Sequence, residues 1–263
     1  MATREKYEPG TPSWIDLSTS DADGAKEFYG ALFGWSYEDM PMPEGVYSMA
    51  TLRGQTVAAI ASQQPQEAAA GVPPHWNMYI TVADVDAAAA KVADAGGSVH
   101  AGPFDVMDAG RMAVVQDPVN AFVMLWEPKG TAGVGLVNED GAFIWDELIA
   151  PNAASAAPFY EAVVGLKLVQ SDMGDGRMYS GWTLDGTDAT MVGGAMDPPM
   201  PGIPPHWSIY FGSNDIDAHA AKTKELGGSV LAEPMDIPVG RFAVLADPQG
   251  AAFSIFSAPS TES

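Results

Sequence analysis

The chain contains no cysteine. That excludes disulfides, thiolate nucleophiles and Cys-based zinc sites. Cations are scarce: 12 Lys and Arg stand against 34 Asp and Glu, a formal charge of −22 at pH 7. This balance argues against nucleic acid and anionic membrane as partners, since both repel an acidic surface. The acidic residues are spread along the chain, which suits solubility rather than a binding tail. No apolar run approaches the ~20 residues of a membrane span. The segment Met1 to Glu8 has no apolar stretch of the signal-peptide kind, so the expected location is the cytoplasm. Gly24 and the Gly-Gly pairs lack the strand–loop–helix pattern of a phosphate loop. No serine sits in a nucleophile elbow.

What is present is said nearly twice. Trp14-Ile15-Asp16-Leu17 and Phe28-Tyr29-Gly30 return as Trp145-Asp146-Glu147-Leu148 and Phe159-Tyr160-Glu161. Pro73-Pro74-His75-Trp76 returns as Pro204-Pro205-His206-Trp207. Gly110-Arg111-Met112-Ala113-Val114 with Asp117-Pro118 returns as Gly240-Arg241-Phe242-Ala243-Val244 with Asp247-Pro248. The copies lie 130 or 131 positions apart, far beyond the 20–50 residues of a solenoid repeat. The 263 residues therefore divide into two homologous domains. We expect a tail at 1–10, a first domain at 11–128, a linker at 129–140, a second domain at 141–258 and a tail at 259–263.

Each half divides again. Trp14–Thr19 reads as a strand. Asp21 reads as a helix N-cap, with Ala25, Phe28, Tyr29 and Leu32 at helical spacing and Gly34 as the stop. Turn-rich sequence leads to strand-like runs at Val46–Leu52 and Thr56–Ile60, and Ser62–Pro74 reads as a loop. Asn77–Val82, a helix over Val85–Ala95, Val99, Met112–Gln116 and Ala121–Glu127 repeat the plan, with a turn at Asp117-Pro118. The expected class is α+β, with four βαβββ modules. Two modules with bare sheet faces close a cup-shaped mixed sheet, and the cup is a natural ligand cavity.

This plan resembles the vicinal oxygen chelate superfamily, which includes glyoxalase I, ring-cleaving dioxygenases, fosfomycin-resistance proteins and bleomycin-binding proteins. The resemblance rests on Asp21 before Phe28-Tyr29-Gly30 and Phe33-Gly34-Trp35, on Val82-Ala83-Asp84-Val85-Asp86 before Gly96-Gly97, and on Asp117-Pro118. In the second half it rests on Phe159-Tyr160 and Gly165, on Asn214-Asp215-Ile216-Asp217 before Gly227-Gly228, and on Asp247-Pro248-Gln249-Gly250. The tandem form is similar to actinobacterial proteins labelled glyoxalase-like or hydroxylase. Metal enzymes of that superfamily hold a divalent ion with His, Glu or Gln on cup strands. The resemblance puts those slots at Trp14, Asn77 and Met124, and at Trp145, Ser208 and Ser254. Indole and thioether are poor ligands for a hard divalent ion, and a Ser or Asn alone is a weak one, so no metal and no cofactor is expected.

The expected binding residues are therefore Trp14, Asn77, Met112 and Met124 in the first half and Trp145, Ser208, Phe242 and Ser254 in the second. Met49 and Met78 join them as pliable lining. Arg111 and Arg241 are candidates for an anionic group on the ligand, with a salt bridge in this acidic chain as the alternative. His75, Tyr47, His206 and Tyr179 are candidate acid–base groups. For each histidine the simpler alternative is to anchor the Pro-Pro loop. Glu127 reads as a surface carboxylate. The expected function is metal-independent binding of a small apolar or aromatic molecule, a secondary metabolite or antibiotic, for sequestration, resistance or a biosynthetic step. The alternatives are a glyoxalase- or hydroxylase-type enzyme acting on an α-oxoaldehyde or aromatic polyketide, and a degenerate interaction scaffold. If only one cup works, Asn77 favours the first, because its amide can orient a ligand. The expected partner is a small molecule, and the chain is expected to be a monomer or homodimer.

Overall fold

The structure is a computed structural model that describes residues 2–42, 45–172 and 178–259. The first half runs β1 (Ala2–Thr3), β2 (Pro12–Thr19), α1 (Ala22–Phe33), β3 (Ser36–Met42), β4 (Gly45–Leu52), β5 (Gln55–Ser62), α2 (Pro65–Ala69), β6 (His75–Thr81), α3 (Val85–Val92), β7 (Ser98–Val106), β8 (Gly110–Gln116) and β9 (Phe122–Pro128). The second runs β10 (Leu136–Val137), β11 (Phe143–Ile149), α4 (Ala157–Val164), β12 (Lys167–Asp172), β13 (Met178–Thr183), β14 (Met191–Met196), β15 (His206–Gly212), α5 (Ile216–Glu225), β16 (Ser229–Ile237), β17 (Gly240–Ala246) and β18 (Ala252–Ser257). No helix among the described residues is long and apolar enough to cross a membrane.

The first sheet has the order β3-β4-β5-β2-β6-β9-β8-β7. The second repeats it as β12-β13-β14-β11-β15-β18-β17-β16, with β10 beside β11 and β1 beside β10. In each, the two module-opening strands pair antiparallel at the centre, and each pairs in parallel with the last strand of its own module. All eight residues of β2 are buried, because one face meets the helices and the other lines the cup. The expected elements form close to their predicted bounds. Asp21, Asp84 and Asp215 cap α1, α3 and α5 through their side chains. Glu127 is more than a surface carboxylate: it accepts the Val85 N–H at 2.9 Å at the start of α3. Three readings change. The turn-rich stretch after Gly34 holds β3, an edge strand with no buried residue and hence no hydrophobic signal. The Ser62–Pro74 loop contains the short α2. The linker contains β10, which the N-terminal β1 joins.

The two halves share a core. Phe33 and Trp76 meet Phe211 with ring centroids 5.2 and 5.3 Å apart, and Tyr29 meets Phe253 at 5.4 Å. Two matched relays cross this interface. Trp76 donates its indole N–H to the Tyr29 hydroxyl (3.2 Å), which donates to Asp247 (3.2 Å). Trp207 donates to Tyr160 (2.8 Å), which donates to Asp117 (2.8 Å). The other oxygen of each aspartate holds its own turn by accepting two backbone N–H groups. The repeated Asp-Pro pair thus does more than turn the chain: each copy's turn receives a tyrosine from the other copy.

One position breaks the symmetry. Asp146 occupies the place of Ile15 on the helix-facing side of β11 and is 1% exposed. Neither carboxyl oxygen has a hydrogen-bond partner. Its carboxyl fills the space beside Gly193, where an added Cβ would collide with it. Burial, and secondarily the charge of Glu147, push its pKa well above the ordinary value of 3.8. The native state therefore binds this proton more tightly than the unfolded chain does. Its contribution to stability falls as pH rises above the unfolded value, until the native group itself ionises. Asp146→Ile should stabilise the fold by on the order of 1–3 kcal/mol at neutral pH. Urea midpoints at acid and neutral pH should show the gain growing with pH; a loss at neutral pH would contradict the assignment.

Candidate functional site

Strand register decides what each cup contains, because side chains alternate between faces. In the first sheet Trp14 lies opposite Tyr79, Asp16 opposite Asn77 and Ser18 opposite His75. Tyr79 pairs with Met124, and Met112 with Trp126. Tyr47 and Met49 reach in from β4. In the second sheet Trp145 lies opposite Tyr210 and Glu147 opposite Ser208, with Ser254 beside Tyr210 and Phe242 beside Phe256. The structure thus brings Trp14, Tyr47, Asn77, Met112 and Met124 to one cup, and Trp145, Tyr179, Ser208, Phe242 and Ser254 to the other. Met78 points the other way and is 1% exposed in the core between sheet and helices.

The centre of each floor is a carboxylate. In the first cup Asp16 Oδ2 accepts the hydroxyls of Tyr47 (2.9 Å) and Tyr79 (2.7 Å), and Oδ1 accepts Asn77 Nδ2 (2.9 Å). Trp14 Nε1 donates to the Tyr47 oxygen at 2.9 Å. In the second cup Glu147 Oε1 accepts from Tyr179 and Oε2 from Tyr210, both at 2.5 Å, and Trp145 Nε1 donates to Tyr179 at 3.0 Å. Burial pushes both carboxyls upward, and the hydrogen bonds they accept pull them partly back. The same burial, with the neighbouring carboxylate, holds all four tyrosines well above their ordinary value. The phenols therefore stay protonated at neutral pH, as donors to the carboxylate.

Sequence reasoning missed Asp16, Glu147, Tyr79 and Tyr210. The signal was available: an acidic residue stands two positions after each Trp, on the same strand face, in both copies. The expected roles of the two arginines are corrected. Each sits one residue from a cup-facing side chain, Met112 or Phe242, and so faces outward. Arg111 pairs with Asp86 (3.0 Å) and Asp105 (3.3 Å), and Arg241 with Asp217 and Asp236 (both 2.9 Å). His75 and His206 each place Nδ1 2.8 Å from the carbonyl of Pro73 or Pro204. A carbonyl only accepts, so the proton is on Nδ1, and the ring anchors the Pro-Pro loop. Burial lowers the pKa of His206.

The cups differ in openness. Trp14 and Tyr79 are 7% and 8% exposed, whereas Trp145 and Tyr210 are half-buried. Ala59, Asn77 and Met124 in the first cup correspond by register to Gly194, Ser208 and Ser254 in the second. A cavity of about 480 Å³ lies beside Tyr179, lined by Asn152, Met178, Met196, Asp197, Ile237 and Pro238 among others, while Trp145, Glu147, Ser208, Tyr210 and Ser254 do not line it. The larger amide favoured the first cup from sequence; the tryptophan and tyrosine of the second floor are the more exposed.

The model of the Glyoxalase/Bleomycin resistance protein/Dioxygenase superfamily matches residues 11–125 and 143–255. The chain belongs to that superfamily. A Mycobacterium tuberculosis protein named as a glyoxylase, CFP32, is 53% identical over 258 residues, covering 97% of each chain. The anthracycline biosynthesis protein DnrV of Streptomyces peucetius is 35% identical over 262 residues, covering 95% of this chain and 94% of that one. Two solved structures share the fold. The Mn(II)-bound glyoxalase of Novosphingobium aromaticivorans has a TM-score of 0.64 at 15% identity, covering 95% of this chain and 82% of that one. The 2,3-dioxygenase LapB of Pseudomonas sp. KL28 has a TM-score of 0.62 at 16% identity, covering 96% and 94%.

The donor set of this superfamily member does not fit the divalent ion that such a fold holds elsewhere. Among the described residues no three His, Cys, Asp or Glu side chains come together. Each cup has one floor carboxylate, and its two oxygens are already bound to phenols and, in the first cup, an amide.

The Tyr179–Glu147 bond depends on Gly194, where an added Cβ would overlap the Tyr179 hydroxyl. Gly194→Ala should break this bond and free the Trp145 indole, at about 1–3 kcal/mol for the unsatisfied buried carboxylate. Thermal unfolding and near-ultraviolet circular dichroism should both shift, and Tyr179→Phe should reproduce the change. An unaltered Trp145 signal in both variants would refute the dependence.

Proposed function

We propose that this protein binds a small, flat, largely aromatic molecule in its cups, the second before the first, without a divalent ion. The observation that carries the reading is the floor of each cup: a carboxylate locked by two tyrosines, with a tryptophan beside it in a slot that the family resemblance gives to a metal ligand. Trp145 offers a face for stacking, and Met178 and Met196 give the rim a pliable apolar lining. The relative named for anthracycline biosynthesis supports an aromatic polyketide as the chemical class. Its role is a biosynthetic step or sequestration of that molecule inside the cell.

A second reading has its own support, the name of the mycobacterial relative. On it, the protein is an enzyme acting on an α-oxoaldehyde. The two readings part in one experiment series. Elemental analysis of the purified protein should find no stoichiometric Zn, Ni, Fe or Mn. An anthraquinone should quench the tryptophan fluorescence, and Trp145→Ala should weaken its binding about tenfold or more, roughly 1.4 kcal/mol. A stoichiometric metal, together with turnover of methylglyoxal–glutathione that a chelator abolishes, would replace the first reading with the second.

A further inference from the structure

The hydrogens in the second floor all run one way. Trp145 donates to Tyr179, and Tyr179 and Tyr210 both donate to Glu147. Each phenol hydrogen is used on the carboxylate, so a guest meets oxygen lone pairs at these three residues. Only Ser208 and Ser254, 3.4 Å apart, hold hydroxyl hydrogens at this level. None of the floor residues Trp145, Glu147, Gly194, Ser208, Tyr210 and Ser254 is cationic. Arg241, the nearest arginine in sequence to the cup wall, is turned outward and paired with two aspartates. Glu147 is thus a buried carboxylate with no basic partner among the described residues, ringed by acceptors and by three aromatic rings that can face a positive charge.

We propose that the second cup takes an organic cation: a protonated amine carried on an aromatic ring system, with the ammonium seated above Glu147 and the ring against Trp145. This rests on the cup-binding reading above and narrows it. A neutral ring with only carbonyl oxygens meets acceptors with acceptors, whereas an ammonium supplies three donors and the missing positive charge. A cationic guest compensates a buried carboxylate that the protein leaves without a counter-charge. The first cup repeats the hydrogen direction, but its buried Trp14 and Tyr79 leave no comparable opening.

The test is a pair of probes with one ring system: an aminomethyl-anthraquinone, protonated at neutral pH, and its neutral N-acetyl derivative. Both are titrated against the whole protein by tryptophan fluorescence. The amine should bind about tenfold or more tightly. In Glu147→Gln, checked for folding by near-ultraviolet circular dichroism, the ratio of the two probes' affinities should fall below about threefold, whatever the absolute affinity of each. Equal affinity for both probes in the unaltered protein would overturn the cation assignment and leave aromatic binding standing. Failure of both probes to bind would overturn the two readings together. A preference that survives Glu147→Gln would overturn the role of Glu147.

Discussion

An ionised carboxylate is costly to bury without hydrogen bonds, and each half of this molecule is arranged around a buried one that has them. Asp16 and Glu147 lie at the middle of the central strands, 6% and 7% exposed. Leaving such a group unpaired costs several kcal/mol. The partners come from two other strands, the tyrosine of β4 or β13 and the tyrosine of β6 or β15, and the tryptophan on the carboxylate's own strand donates to the first of these tyrosines. Satisfying one charge therefore fixes the relative position of the strands that shape the cup. It also fixes what the cup can recognise, because donors committed to the floor are not offered to a guest.

The same logic holds the halves together. Asp117 and Asp247 each give one oxygen to their own turn and the other to a tyrosine from the opposite half. The tyrosine oxygen in turn accepts from the tryptophan that lies between the cup-facing residues of β6 or β15. Floor and interface are thus built on neighbouring residues of one strand, facing opposite ways: His75 and Asn77 toward the cup, Trp76 toward the interface. A duplicated domain keeps such residues in both copies because each copy needs the other's tyrosine.

Much of this was legible in the chain. The repeat fixes two domains, the caps and glycine stops fix the helices, and the family resemblance assigns Trp14, Asn77 and Met124 to the cup. What stayed hidden has physical causes. β3 carries no strong hydrophobic pattern because it is an edge strand with no fully buried residue and only Tyr37 packed against the core. Arg111 and Arg241 were weighed as ligands because residue type alone does not give a face; alternation from Met112 and Phe242 does. Asp16 and Glu147 were passed over because attention went to the slots where a metal ligand belongs, and the carboxylate stands two residues along. Their tyrosine partners are brought in by register, which no local pattern reports.

The copies also show where constraint ended. The carboxylate, both tyrosines and the tryptophan are kept twice, apart from the exchange of Asp for Glu. Around them the second copy replaced Ala59, Asn77 and Met124 by Gly194, Ser208 and Ser254, each smaller than its counterpart. The longer Glu147 lacks the amide that Asn77 gives Asp16 and keeps the two phenol bonds. On the far face, Asp146 in place of Ile15 puts an unpartnered carboxyl into the core and costs stability without reaching the cup. The same floor therefore stands beneath smaller side chains in the second half than in the first. The closed first cup, with the same floor under larger side chains, keeps the architecture that the interface requires.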